Sequence, residues 1–153
     1  KEVSYNYRLS DLNCALGLSQ LKKIKNFINY RKKIYNFYKS SFKKYKHVIV
    51  CPNYYNNLPS YHLALILVNF EKLKINKDKF LKLLKTKNIF CQYHYIPIYR
   101  FKIFKKKLNL NFYNGSENYY QKCLSLPIFY NLPINSLKKV IKIIISIIKK
   151  NYS

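Results

Sequence analysis

The feature that most constrains the fold is a stripe of apolar residues along the first 45 positions. Ser10 is a good helix N-cap, and Leu9 and Cys14 have the spacing of a hydrophobic staple. From there apolar side chains recur at steps of three and four as far as Phe42, which predicts one helix reaching about Tyr45. At about 1.5 Å per residue this helix would be ~50 Å long, more than the diameter of a small domain. We therefore expect part of it to pack on something outside this chain.

The rest of the chain alternates short strand-like and helix-like segments. The strand patterns cover residues 48–50, 61–70, 89–95 and 124–126, and the helix patterns follow caps at Asn76, Ser116 and Asn135 or Ser136, with a short helical stretch at 101–108. This order predicts an α+β fold, with helices packed on a small mixed or antiparallel sheet. We divide it into residues 1–46, an interface segment with the long helix, and residues 47–153, a small α+β domain.

The ends and the glycines of the sequence add two expectations. The chain begins at Lys1 without a methionine, and we interpret it as a piece of a longer protein. Gly17 lies inside the predicted helix, where glycine lowers helix stability, so we expect another backbone to approach closely there. The second glycine is Gly115, and two isolated glycines exclude the glycine-rich loops that bind dinucleotides and nucleotide phosphates.

The chain is strongly basic, with 30 Lys and Arg against 5 Asp and Glu and a formal charge of +25. Such a charge favours nucleic acid or an anionic membrane as a partner. However, only Arg8, Arg31 and Arg100 are arginines, whereas nucleic-acid surfaces use arginine heavily for bidentate contacts. The lysines are spread over every segment, as an AT-rich coding sequence would produce. We expect the charge to reflect composition, and we keep a small nucleic-acid-binding protein as the alternative.

The sequence favours a cytoplasmic protein. Its first eleven residues are polar and aromatic rather than apolar, unlike a secretory signal. The longest apolar run, 140–148, is far shorter than the ~20 residues that cross a bilayer. The cysteines form no CxxC or Cys/His pair, which predicts buried free thiols rather than disulfides or a zinc site. They are Cys14, Cys51, Cys91 and Cys123.

Two segments could form a binding site. Residues 5–11 place phenols, an amide and a guanidinium directly before a helix N-terminus, where free N–H groups favour anions. An aromatic turn that only anchors the helix is an equally good interpretation of the same residues. Residues 92–100 place polar aromatic side chains on a predicted strand that Pro97 then turns outward, forming a rim. A lone histidine such as His94 is more often structural than a ligand or a base.

The residues by themselves assign no catalytic group. The five acids show no paired spacing that would support general acid–base chemistry. Lysine is abundant, but no single lysine has an apolar setting that would lower its pKa for covalent catalysis.

Two blocks of the sequence resemble the DegT/StrS-type sugar aminotransferases. Residues 4–11, continued by 15–21, are similar to the family's Tyr-Asn-Tyr-Arg block and its Ala-Leu-Gly helix. Residues 93–97 are similar to its His-Tyr-x-Pro block, and residues 61–63 and 123–127 give supporting matches. The resemblance extends over essentially the whole chain and corresponds to the C-terminal third or more of a family member.

The resemblance implies the C-terminal small domain of a fold-type-I, pyridoxal-phosphate-dependent homodimer with active sites between subunits. The large domain, which carries the cofactor lysine, would lie outside this chain, so this chain alone would be inactive. Asn6 would bind the cofactor phosphate across the dimer interface. Arg8, with Tyr7, would bind the pyrophosphate or nucleotide of the substrate, and His94 and Tyr95 would line the nucleotide-sugar pocket.

Within the family, residues 14–17 and 92–99 are most similar to transaminases of pseudaminic acid synthesis. These enzymes place an amino group on a UDP-linked 4-keto-6-deoxy-N-acetylhexosamine, and glutamate is the expected donor. A truncated copy, one half of a split enzyme and a remnant without function all remain open.

Overall fold

A computed structural model describes residues 5, 7–54, 59–105 and 110–152. Within them three strands, β1 (Ile49–Val50), β2 (Ala64–Val68) and β3 (Cys123–Leu126), form an antiparallel sheet in that order. The helices of the described part are α1 (Asp11–Leu21), α2 (Ile24–Phe42), α3 (Lys77–Lys85), α4 (Lys102–Lys105), α5 (Asn114–Lys122) and α6 (Ile134–Asn151). Short 3-10 turns occupy Lys43–Tyr45, Ile98–Arg100 and Leu110–Tyr113. The predicted α+β fold is confirmed, and the sheet is antiparallel.

The single long helix predicted from the sequence is wrong, because the structure divides it into α1 and α2. The predicted cap is present, since the Ser10 hydroxyl accepts a hydrogen bond from the Asn13 amide at 3.4 Å. At Lys23 the backbone amide donates its hydrogen bond to the Gln20 carbonyl, three residues back instead of four. Helix α2 then begins at Ile24. Lysine is a good helix former, so local propensity does not explain the break. We attribute the break to packing, because α2 has residues buried in the core and α1 has none.

The core lies between the sheet, the second half of α2 and α6. The α2 residues Ile34, Tyr35, Tyr38 and Phe42 are buried, whereas no residue of α1 is buried. The division near residue 46 therefore stays a prediction, although these α2 residues belong to the same core as the strands. The stripe predicted for the last helix is buried in full: Leu137, Val140, Ile141, Ile144, Ile147 and Ile148.

Strand β2 occupies the centre of the sheet. It pairs Val68 with Ile49 of β1 and Ala64 with Leu126 of β3. Its buried residues alternate with less buried ones, as expected for a strand that packs one face on the core. The strand is shorter than the predicted segment 61–70, and it lacks the continuous burial that the apolar run suggested.

Two tyrosine hydroxyls of α2 form hydrogen bonds with loops around the core. Tyr38 donates a hydrogen bond to the Pro127 carbonyl at 2.9 Å, and Tyr35 donates one to the Pro52 carbonyl at 2.6 Å. Each pairs a buried phenol with a backbone acceptor, which avoids the cost of an unsatisfied polar group.

The strand predicted at residues 89–95 is wrong. The segment meets β3 through one isolated bridge, in which Gln92 and Ser125 exchange backbone hydrogen bonds. The β-propensity of these residues reflects a fit to a half-buried surface, and the segment achieves this beside β3 without a continuous ladder. The polar aromatic residues that follow are therefore not carried on alternating faces of a strand.

Three local expectations also differ from the structure. Helix α5 begins at Asn114, ahead of the cap predicted at Ser116, and includes Gly115. Helix α6 begins at Ile134, with Pro133 at the cap in place of Asn135 or Ser136, because proline needs no N–H partner before a first turn. Cys14 is exposed on α1, contrary to the prediction of buried thiols. None of the described helices combines the length and apolar character needed to span a bilayer.

Candidate functional site

The first block of the resemblance forms an open polar surface at the start of α1. Tyr7 is 82% exposed and packs edge-to-face on Tyr5, with ring centroids 6.2 Å apart, and Arg8 is also exposed. Asn6, the residue expected to bind cofactor phosphate, lies outside the described residues. Ser10 caps α1, so the segment places a phenol and a guanidinium beside a helix N-terminus that favours anions.

The second block lies at the end of the segment that crosses β3. Tyr95 is 71% exposed, and its ring contacts that of His94 edge-to-face at 4.7 Å across a cis peptide bond. Both ring nitrogens of His94 are buried and have no hydrogen-bond partner among the described residues. Desolvation by burial, and secondarily the nearby His62, lowers the pKa of His94. The lowered pKa favours the neutral imidazole, and neither of its nitrogens is satisfied by a described residue.

An aromatic cleft of about 520 Å³ separates the segment after His94 from α5. Its wall on one side is formed by residues 95–99, and α5 and the turn before it form the other wall. Tyr99 stacks on Tyr113 across the cleft, with ring centroids 4.9 Å apart and planes 17° from parallel. The lining residues are Tyr95, Pro97, Ile98, Tyr99, Tyr113, Gly115, Ser116, Tyr119 and Tyr120. Such a surface suits a flat or sugar-like group that stacks on phenol rings.

Tyr120 also lines a second cavity, of about 340 Å³, that sequence reasoning missed. Lys77, the first residue of α3, places its ammonium 4.3 Å from the Tyr93 ring centroid and 4.9 Å from that of Tyr120. It also donates a hydrogen bond to the Tyr120 carbonyl. Desolvation lowers the pKa of Lys77 to about 8. The expectation that no lysine has such a setting is therefore wrong.

Acidic side chains complete this region. Asp78 accepts a hydrogen bond from the Tyr93 hydroxyl at 3.0 Å. Glu117 on α5 forms an ion pair with Arg100 and accepts a hydrogen bond from the Tyr99 hydroxyl at 3.2 Å. No sequence spacing indicates these pairs, because Arg100 and Glu117 are 17 positions apart on separate elements. The Asn76 cap, which was predicted, was the one local signal that placed Lys77 at a helix N-terminus.

The structure keeps the expected site residues in two groups. His94 and Tyr95 contact each other, and Tyr7 contacts Tyr5. Among the described residues, no hydrogen bond or ring contact joins Tyr7 to His94 or Tyr95. The described part also contains no group of three His, Cys, Asp or Glu side chains that could hold a metal ion.

The described part thus combines an exposed turn before α1, a helix without buried residues and an aromatic cleft. Residues 1–145 match the profile of the DegT/DnrJ/EryC1/StrS aminotransferase family. The match covers most of the sequence, and the chain belongs to this family. Enzymes of the DegT family depend on pyridoxal phosphate in general, and a pyridoxal-phosphate form is among the similar solved structures.

Two sequence relatives carry the same name, UDP-4-amino-4,6-dideoxy-N-acetyl-beta-L-altrosamine transaminase. The protein of Campylobacter jejuni is 36% identical over 151 residues, which are 97% of this chain and 39% of the relative. The protein of Helicobacter pylori is 30% identical over 140 residues, which are 92% of this chain and 37% of the relative. This chain therefore spans about two fifths of the length of these relatives.

Solved structures give the same fold. The chain is similar to Helicobacter pylori PseC, an aminotransferase involved in the biosynthesis of pseudoaminic acid, with a TM-score of 0.81 and 27% identity over 98% of this chain and 40% of that one. The aminotransferase from Psychrobacter cryohalolentis gives a TM-score of 0.86 at 14% identity, covering 100% and 42%, and shows the fold alone. The small-domain fold of a fold-type-I transferase is confirmed. The nucleic-acid-binding alternative finds no support in these similarities.

Proposed function

We propose that this chain is the C-terminal part of a pyridoxal-phosphate-dependent aminotransferase that acts on a 4-keto-6-deoxy nucleotide sugar, with glutamate as amino donor. The observation that carries the proposal is the open polar surface at the start of α1, where Tyr7 and Arg8 are exposed beside a capped helix N-terminus. A turn that only anchored the helix to its own core would bury its aromatic side chains. Here both described tyrosines of the turn are more than four fifths exposed.

The residues of this turn fit the phosphate groups of a cofactor and a sugar nucleotide. Arg8 offers a planar pair of donors suited to phosphate oxygens, and the first amides of α1 face the same end of the helix. Asn6 would hold the cofactor phosphate for a neighbouring subunit, and Arg8 and Tyr7 would bind the pyrophosphate of the substrate. Pyridoxal phosphate supplies the electron sink for moving an amino group, and a lysine of the large domain would anchor it.

His94 and Tyr95 orient the sugar nucleotide in this proposal. The lowered pKa of His94 favours its neutral form, and its ring packs edge-to-face on Tyr95, so it would support that ring beside the substrate. A hydrogen bond from the buried His94 nitrogens to the substrate would require them to become accessible on binding. Tyr95 lines the aromatic cleft from its exposed side, where a base or a sugar ring can stack on it. Neither residue needs to gain or lose a proton for this role.

The identity of the proposed substrate is inferred from the names of the sequence relatives. A UDP-linked 4-keto-6-deoxy-N-acetylhexosamine is the proposed substrate because the Campylobacter jejuni and Helicobacter pylori relatives are named for the corresponding amino sugar. A homodimer, or association with a separate large-domain chain, would supply the missing part of each site. We place the protein in the cytoplasm, where its four free cysteines would stay reduced.

A chimera tests the proposal: this chain replaces the matching segment of the Campylobacter jejuni transaminase, and transamination of the keto-sugar nucleotide is measured. We expect activity in the chimera, and we expect Arg8→Ala to raise KM at least about tenfold through loss of a charged phosphate contact. Lys25→Ala, which removes an exposed charge from α2, is the matched control and should leave KM unchanged.

The cofactor role of Asn6 has a separate readout. In the same chimera, Asn6→Ala should weaken pyridoxal-phosphate binding, measured by the cofactor's absorbance as free cofactor is diluted. An unchanged affinity would remove Asn6 from the phosphate site.

A further inference from the structure

Glu117 connects the two walls of the aromatic cleft. It lies in the first turn of α5, on one wall, and its carboxylate reaches the 3-10 turn Ile98–Arg100 on the other. One oxygen accepts from the Tyr99 hydroxyl at 3.2 Å and from the Arg100 Nε at 3.1 Å. The other accepts from the second Arg100 nitrogen and from the Gln121 amide at 3.1 Å. The carboxylate thus receives four hydrogen bonds, including a bidentate pair from arginine.

The choice of partners is specific in a chain with so few acids. The sequence has five Asp and Glu residues against 30 Lys and Arg, yet Glu117 pairs with Arg100, one of only three arginines. Arginine provides the planar fork that a carboxylate can grip in a fixed orientation, whereas the more abundant lysines cannot. The hydrogen bond from Arg100, ahead of the other contacts, lowers the pKa of Glu117, so the carboxylate stays ionised near neutral pH.

The turn that Glu117 holds follows directly after the substrate-facing residues. Tyr95 is followed by Ile96 and Pro97, and the Arg100 amide then bonds back to the Pro97 carbonyl at 2.9 Å. The Phe101 amide bonds the Ile98 carbonyl at 3.0 Å, which closes the turn. Movement of this turn relative to α5 would therefore carry Tyr95 with it.

We propose that Glu117 is a positioning residue, which fixes the width of the aromatic cleft by binding Tyr99 and Arg100 and thereby sets the place of Tyr95 against the sugar nucleotide. This inference rests on the proposed function. Its effect is local, because the Arg100 and Glu117 side chains are 45% and 27% exposed and such pairs contribute little to global stability. Loss of the carboxylate should therefore loosen the turn without unfolding the domain.

The test compares Glu117→Gln with Glu71→Gln in the chimeric enzyme. Both variants remove one negative charge, but Glu71 lies in an exposed turn and does not line the cleft. In Glu117→Gln we expect hydrogen exchange at the Arg100 and Phe101 amides to speed up about tenfold, with the α6 amides unchanged. We also expect KM for the sugar nucleotide to rise about tenfold with kcat within about twofold, since the residue positions the substrate and does not react. Glu71→Gln should change neither.

The outcomes separate the inference from the proposed function. Unchanged exchange at Arg100 and Phe101 in Glu117→Gln overturns the inference, and so does faster exchange with an unchanged KM. A wild-type chimera that lacks transaminase activity would count against the proposed function. In that case the exchange rates still decide whether Glu117 holds the turn, with faster exchange supporting it and unchanged exchange overturning it.

Discussion

Lys77 lines a cavity that could not be predicted from the sequence. Its neighbours along the chain are polar, and nothing in the spacing marks it among the other lysines. Its setting comes from Tyr93 and Tyr120, which belong to different elements and approach the ammonium from two sides. The same holds for Glu117, whose partners Tyr99 and Arg100 lie in the segment after Pro97 that the sequence predicted only as a rim. Contacts between distant positions depend on the assembled fold, so these side chains could not be chosen in advance.

We predict that Lys77 reacts faster with an amine-acylating reagent than the exposed Lys79 two positions along α3. Burial lowers the pKa of Lys77 to about 8, whereas an ordinary lysine has a pKa of about 10.4. At pH 7.5 roughly a quarter of the Lys77 amine is then unprotonated, against about 0.1% for an ordinary lysine. Mass spectrometry of labelled peptides should show an advantage of at least about tenfold at pH 7.5 that shrinks above pH 10. Equal labelling at both pH values would contradict the prediction.

The elements of the fold divide into those fixed locally and those fixed by packing. The caps at Ser10 and Asn76 were predicted because their side chains bond amides three residues away, within the same segment. The α6 stripe was predicted because its period is helical throughout. The break before Ile24 was not predicted, because it depends on where the core ends along the helix. The absence of a strand at residues 89–95 was not predicted either, because it depends on how far this segment pairs with the edge of β3.

Gly17 gives a prediction about α1. An added Cβ would meet no atom within 4 Å in this chain, so the close backbone approach expected there has no source among the described residues. In the isolated chain, Gly17→Ala should stabilise α1 by about 0.5–1 kcal/mol, seen as slower amide exchange along the helix.

The same substitution should weaken subunit association of the chimera if another backbone packs on Gly17. Ser19→Ala, also on α1, is the control, since it favours the helix without filling that position. If Gly17→Ala leaves association as strong as Ser19→Ala does, no close approach occurs at this position.

The described part of the chain consists of a packed body and a helix, α1, without buried residues. The body, from the second half of α2 to α6, has one continuous core. Helix α1 has exposed leucines and no buried residue, and Leu12 is 81% exposed. The sequence predicted that part of this region would lack a core within the chain, because the apolar stripe up to Phe42 was too long for one small domain. It did not predict where along the stripe the body begins.

We predict that Leu12→Glu with Leu16→Glu lowers the dimer affinity of the chimera at least about tenfold, because two charges would enter an apolar contact. The free energy of unfolding of the isolated chain should stay within about 0.5 kcal/mol, since neither side chain is buried there. Sedimentation and urea unfolding measure the two quantities. Lys25→Glu is the control for added negative charge, and an equal loss of affinity in that variant would assign the effect to charge alone.

The absence of buried residues in α1 has a consequence for the proposed activity. An eleven-residue helix is too short to be stable by itself in water, so its order must come largely from whatever covers it. The proposed phosphate-binding turn stands at the front of that helix and would take shape together with it. Catalytic activity would then depend on subunit concentration. A subunit that has not assembled would not bind the cofactor.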